Sequence, residues 1–150
     1  SMDWHVKSAA ELFSAARSEF KRLDYYYFHN CPYESLWKEN SRRRVDRTPT
    51  LAVLRTSAAD TKLIIVGDAA MSPTEITQPG GSVEHMNEEP GMLWLQRIGA
   101  AFEHAVWLNP VAADHWQWTH STELVRRLMD GRMYPLTLAG LDAAMQELMR

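Results

Sequence analysis

Cysteine is nearly absent from this chain: Cys31 is the only one in 150 residues. One thiol closes no internal disulfide and builds no cysteine-based zinc site, and it fits a reducing, cytoplasmic setting. Long apolar runs are missing too. None approaches the roughly 20 residues that a membrane-spanning helix needs, and no signal-peptide pattern occurs. Charge of one sign is scarce: 16 Lys and Arg face 19 Asp and Glu, a net −3, so there is no general attraction to nucleic acid or an anionic membrane. No Gly-x-Ser-x-Gly elbow and no Gly-x-x-x-x-Gly-Lys loop appears, which weighs against the common hydrolase and nucleotide-binding classes. Internal repeats, low-complexity segments and interdomain linkers are also lacking.

What is present suits one domain with a real core: 150 residues, 45% hydrophobic and 23% charged. The most informative stretch runs from Lys62 through Leu63-Ile64-Ile65-Val66 to Gly67-Asp68-Ala69-Ala70-Met71-Ser72-Pro73. A short apolar run bounded by polar residues predicts a strand buried on both faces, as in a parallel sheet. Ligands of open α/β sheets sit just beyond the carboxyl ends of strands, which is where Asp68 stands. Asp68 equally suits a capping role in the turn that follows.

The other elements alternate. Apolar residues at spacings of three and four predict a helix from Val6 to Leu23. The aromatic series Tyr25 to His29 predicts a strand, Ser35 to Lys38 a second short one, and Ser41 to Arg47 an arginine-rich loop. Thr48-Pro49 opens a short helix through Leu54, Pro being favoured near helix starts. Met71 to Pro90 reads as a long irregular stretch, and loops of that length are usually functional or mobile. Helices follow over Met92 to Phe102, Glu123 to Met129 and Leu138 to Arg150, with a buried strand at Ala105 to Leu108. Strands alternating with helices imply crossovers and a mainly parallel sheet.

Candidate chemistry is sparse. Arg42, Arg43, Arg44 and Arg47 form the basic cluster, without interleaved aromatics, and read as a solvated loop. Glu84, His85, Glu88 and Glu89 lie in the long loop and match no ligand spacing such as His-Glu-x-x-His. His115, Trp116, Trp118 and His120 invite a binding reading, although tryptophans at i and i+2 more often pack. The remaining oxygen-rich set is Ser1, Asp3, Thr48 and Asp68, whose hydroxyls and carboxylates suit a hard cation such as Mg²⁺.

Longer motifs carry a resemblance. Ser1-Met2-Asp3, Glu11-Leu12-Phe13-Ser14-Ala15-Ala16-Arg17, Tyr27-Phe28-His29-Asn30, Arg47-Thr48-Pro49-Thr50 and Val66 to Pro73 are similar to a bacterial von Willebrand factor A domain of the CoxE-like type. Pro79 to His85, Asn87 to Gly91 and Gly131 to Thr137 extend the similarity over essentially the whole chain. The resemblance implies a Rossmann-like three-layer α/β sandwich with a metal-ion-dependent adhesion site at the strand ends. By position, Ser1 matches the last serine of that site's Asp-x-Ser-x-Ser motif, Thr48 its threonine and Asp68 its second aspartate.

The motif's leading aspartate and first strand would lie upstream of Ser1. The resemblance therefore implies an N-terminally incomplete domain, the C-terminal part of a longer protein, unless Ser1 is a cloning remnant before Met2. It further implies a non-enzymatic, metal-dependent protein-binding module. Its metal is Mg²⁺, with Mn²⁺ or Ca²⁺ as substitutes, held weakly for want of the second carboxylate. The partner implied is a MoxR-type AAA+ ATPase, working in the assembly or maturation of protein complexes. Self-association through the missing-strand gap is also expected, because unpaired strand edges invite pairing. The rival reading is a Mg²⁺-dependent phosphoester hydrolase using Asp68 with Glu84 or His85.

Overall fold

The computed structural model describes residues 7, 9, 11, 13, 21–39, 41, 43–81 and 87–150. It is a mixed α/β fold. Strands β1 (Ser35–Trp37) and β2 (Arg47–Pro49) pair antiparallel in a small sheet. Strands β3 (Lys62–Val66), β4 (His104–Asn109) and β5 (Met133–Pro135) form a three-stranded parallel sheet in the order β3-β4-β5. Lys62 to Val66 stand opposite His104 to Leu108, and Trp107 to Asn109 opposite Met133 to Pro135. The helices are α1 (Thr50–Thr56), α2 (Pro73–Thr77), α3 (Gly91–Ala101), α4 (His120–Leu128) and α5 (Leu138–Leu148). No helix among the described residues is long and apolar enough to cross a membrane.

Side chains alternate across the sheet, and both faces are covered. On one face Leu63, Ile65, Ala105 and Trp107 pack with Trp94, Leu95 and Ile98 of α3, Val125 of α4 and Ile76 of α2. On the other, Ile64, Val66, Val106 and Leu108 pack with Ala144 and Leu148 of α5 and with Phe13. Helix, sheet and helix thus form three layers, with β4 buried in the middle. Among the described residues, β3 has no strand on its second edge.

Several sequence expectations need correction. Tyr25 to His29 is not a strand of the parallel sheet; only Tyr27 exchanges backbone bonds with Trp37, at 2.6 and 3.0 Å, as an isolated bridge beside β1. Lys7, Ala9, Glu11 and Phe13 are helical as expected, whereas Lys21 to Leu23 are not. The helix placed at Thr48 begins at Thr50 instead, and Thr48-Pro49 belong to β2. Pro49 is extended there (φ −60°, ψ 129°), while the Thr50 hydroxyl donates to Tyr33 O and its N–H to Glu34 O, tying the helix start to the small sheet. The irregular stretch after Met71 contains α2, with Pro73 in its first turn, where a missing N–H costs nothing. Helix α4 starts at His120 rather than Glu123, and Ala113–Trp118 preceding it forms a 3₁₀ turn. The last residue of α4, Leu128, falls one short of the expected Met129, and Asp130 and Gly131 beyond it are both left-handed (φ 52° and 75°).

Candidate functional site

The carboxyl ends of β3 and β4 meet at one edge, and three side chains from distant elements build it. Gly67 closes β3 against its neighbour: its N–H donates to Leu108 O at 3.1 Å, and its carbonyl accepts the indole N–H of Trp107 at 2.8 Å. A Cβ on Gly67 would sit 3.2 Å from Cζ2 of Trp107, so the indole lies directly beneath the strand end. Asp68 follows, half-buried. Its Oδ1 accepts the Ala70 N–H at 3.0 Å, the local turn that Asp favours, and its carbonyl accepts from Asn109 Nδ2 at 3.1 Å. The second carboxylate oxygen takes no hydrogen bond among the described residues. Asp68 thus takes the turn-shaping role through one carboxylate oxygen.

Ala69 is fully buried with φ of 56°, a left-handed conformation that costs a non-glycine residue about 1 kcal/mol. The first turn of α4 holds it there. Ser121 Oγ donates to Ala69 O at 2.7 Å and accepts the Met71 N–H at 3.0 Å, while Thr122 Oγ1 donates to the same carbonyl at 3.3 Å. Asn109 is itself fixed, its Oδ1 accepting the Val111 N–H at 2.9 Å. Backbone strain of this kind persists only where surrounding partners hold it, as Ser121 and Thr122 do here. Asn109, Ser121 and Thr122 were not singled out in the sequence. Their signals were a strand stop at Asn109-Pro110 and a Ser-Thr pair at a helix start.

The other proposed metal ligands are placed differently. Thr48 stands in the middle of β2 opposite Leu36, in the small sheet, and no hydrogen bond joins it to Asp68. Ser1, Asp3, Glu84 and His85 lie outside the described residues. Among the described residues, no three His, Cys, Asp or Glu gather as a metal-ligand set. Among the described residues, this edge offers a cation the one carboxylate of Asp68, with one oxygen engaged by the Ala70 N–H, while the Ser121 and Thr122 hydroxyls are bonded to Ala69 O.

A second polar cluster lies under α2. Glu75, 4% exposed, accepts the Tyr33 hydroxyl at 2.9 Å and Asn30 Nδ2 at 3.2 Å. His29, Cys31, Tyr33, Ser35 and Trp37 line a cavity of about 30 Å³, room for a single water. Its chemistry is quiet. Burial, with Glu75 nearby, pushes the Cys31 thiol far above its usual range, and burial with Cys31 and Glu75 does the same to the Tyr33 phenol. A thiol held protonated is no nucleophile. Native protein is accordingly expected to resist a disulfide reagent such as dithionitrobenzoate at mildly alkaline pH and to react at once in denaturant. Rapid stoichiometric modification of the native chain would show that Cys31 is accessible.

The described residues just before α3 are tied down. Arg97 meets Glu89 with two parallel bonds at 2.9 and 2.7 Å, and its guanidinium lies 4.6 Å from the Trp94 ring centroid. The paired guanidinium holds the Glu89 carboxyl below the usual carboxylate range. Buried Asn87 donates to Gln78 O and Glu89 O, bridging the two ends of the segment. Compared with known proteins, the chain matches no family model, no curated protein and no solved structure.

Proposed function

We propose that this chain is a non-enzymatic protein-binding module of the von Willebrand factor A type, docking its partner at the sheet edge around Asp68. The observation that supports this most is the prebuilt loop: a half-buried carboxylate beyond β3, on a left-handed turn held by Asn109, Ser121 and Thr122. Rigidity of this kind suits recognition, because the surface is already ordered when the partner arrives. The three-layer arrangement with a parallel sheet agrees with the fold the resemblance implies, and a MoxR-type AAA+ ATPase is the partner it points to. Mg²⁺ would be taken up weakly, because charge count sets affinity in oxygen-ligand sites and only one carboxylate is present at the edge.

Two measurements test this reading together. Calorimetric titration with Mg²⁺ is expected to give a dissociation constant of about 1 mM or weaker. Capture of a purified MoxR-type ATPase is expected to fall about tenfold in Asp68→Ala, with the melting temperature little changed. Phosphatase and esterase substrates should give background rates with Mg²⁺ or Mn²⁺. Metal-dependent turnover that Asp68→Ala abolishes would sink the binding reading in favour of the hydrolase.

A further inference from the structure

The 3₁₀ turn Ala113–Trp118 leaves a large aromatic in water beside this edge. Trp118 is 71% exposed, while Trp116, two residues earlier, is buried with its indole N–H on Val111 O at 2.8 Å. Three residues per turn bring His115 and Trp118 into line, and the imidazole stacks on the indole with centroids 4.8 Å apart and planes at 28°. The pair forms a stacked platform at the surface. Burying so large a ring normally contributes strongly to stability, and here most of it stays in water. The platform adjoins the Asp68 loop because Ser121, three residues on, holds Ala69 O and the Met71 N–H; three residues span at most about 10 Å.

We propose that Trp118 and Asp114 receive an arginine side chain of a protein partner. The inference rests on the docking-edge reading above and supplies the partner chemistry that reading leaves open. Two other tryptophans of this fold already carry an arginine from within the chain: Arg97 over Trp94 at 4.6 Å and Arg126 near Trp116 at 6.0 Å. Among the described residues, no arginine lies over Trp118. The charge beside it is acidic, since Asp114 is 80% exposed on the same turn and Asp68 presents a carboxylate at the neighbouring strand end. Asp114 approaches His115 Nε2 only to 3.8 Å, beyond hydrogen-bond length, so its lone pairs remain available. A guanidinium suits both kinds of group, since its plane stacks on an indole and its N–H donors pair with a carboxylate. An acidic partner would set like charges against Asp114 and Asp68, and an apolar one would bury Asp114 unpaired.

The test uses the whole ¹⁵N-labelled chain and the peptide Ac-Gly-Arg-Gly-Arg-Gly-NH₂, with a citrulline analogue that keeps the shape and lacks the charge. The expected result is a saturable shift of the Trp118 indole N–H resonance, assigned by its loss in Trp118→Phe. The citrulline peptide is expected to bind about fivefold more weakly, and Asp114→Asn to weaken the arginine peptide about threefold. Trp118→Ala, its fold confirmed by an otherwise unchanged spectrum, should abolish binding. Equal affinity for the citrulline peptide, no perturbation at Trp118, or indifference to Asp114→Asn would overturn the proposal. The two readings separate cleanly. Arginine binding at Trp118 without ATPase capture would remove that partner and leave this site, whereas full ATPase capture by Trp118→Ala would remove this site and leave the edge.

Discussion

Trp107→Ala is expected to lower the unfolding free energy by about 4 kcal/mol, in the range measured when large buried aromatics are truncated. Trp107 is fully buried in the middle strand of the sheet, with Phe28 edge-on to it at 6.4 Å and 70° between planes. Truncation opens a cavity between the sheet and α3 and removes the indole N–H from the Gly67 carbonyl. The second effect reaches the candidate site, because that bond fixes the strand end immediately before Asp68. Trp107→Phe separates the two contributions. It keeps much of the volume and is expected to lose about 1–3 kcal/mol, part of it from leaving a buried carbonyl unpaired. Urea denaturation checks both. A loss under about 1 kcal/mol for the alanine variant would mean that the β4 face is not the core of this fold.

Where the sequence was legible, the reason was a pattern that does not depend on distant contacts. Lys62 to Val66 and the run around Ala105 to Leu108 were readable as buried strands because both their faces are apolar, and both pair in parallel. Helices α3 and α5 lie within one or two residues of their expected spans, since periodicity at three and four survives in any helical context. β5 escaped notice because it is three residues long and ends in Pro135, which lacks the N–H of an ordinary strand residue. Tyr25 to His29 was misread for the opposite reason. Aromatic series favour strands only where a neighbouring strand receives them, and here only Tyr27 finds one. The site divides the same way. Asp68 was visible from its place at a strand end, but the partners of its loop come from 41 and 52 residues further along, and no local spacing announces them. Thr48, matched only by position, lies in β2, two residues before α1 begins.

Gly140→Ala carries the other large effect, about 3 kcal/mol of destabilisation, as when a rigid contact is overpacked. A Cβ at Gly140 would lie 1.9 Å from the Pro135 carbonyl oxygen and 2.9 Å from its carbonyl carbon. Backbone cannot rotate away as a long side chain can, so either the first turn of α5 or the end of β5 must move. Both are anchored. The Gly140 N–H donates to the Thr137 hydroxyl at 3.0 Å, which caps α5, and Leu136 N donates to Asn109 O at 2.8 Å, which joins β5 to β4. Helix propensity alone favours alanine over glycine by up to about 1 kcal/mol, so a net loss isolates the steric term. Gly99→Ala in α3 is the matched control, because a Cβ there meets nothing within 4 Å and the propensity gain stands alone. Opposite signs for the two variants in thermal unfolding are the expected result. Stabilisation by Gly140→Ala would show that α5 does not approach β5 so closely, and the packing of the whole Val106–Leu108 face would have to be redrawn.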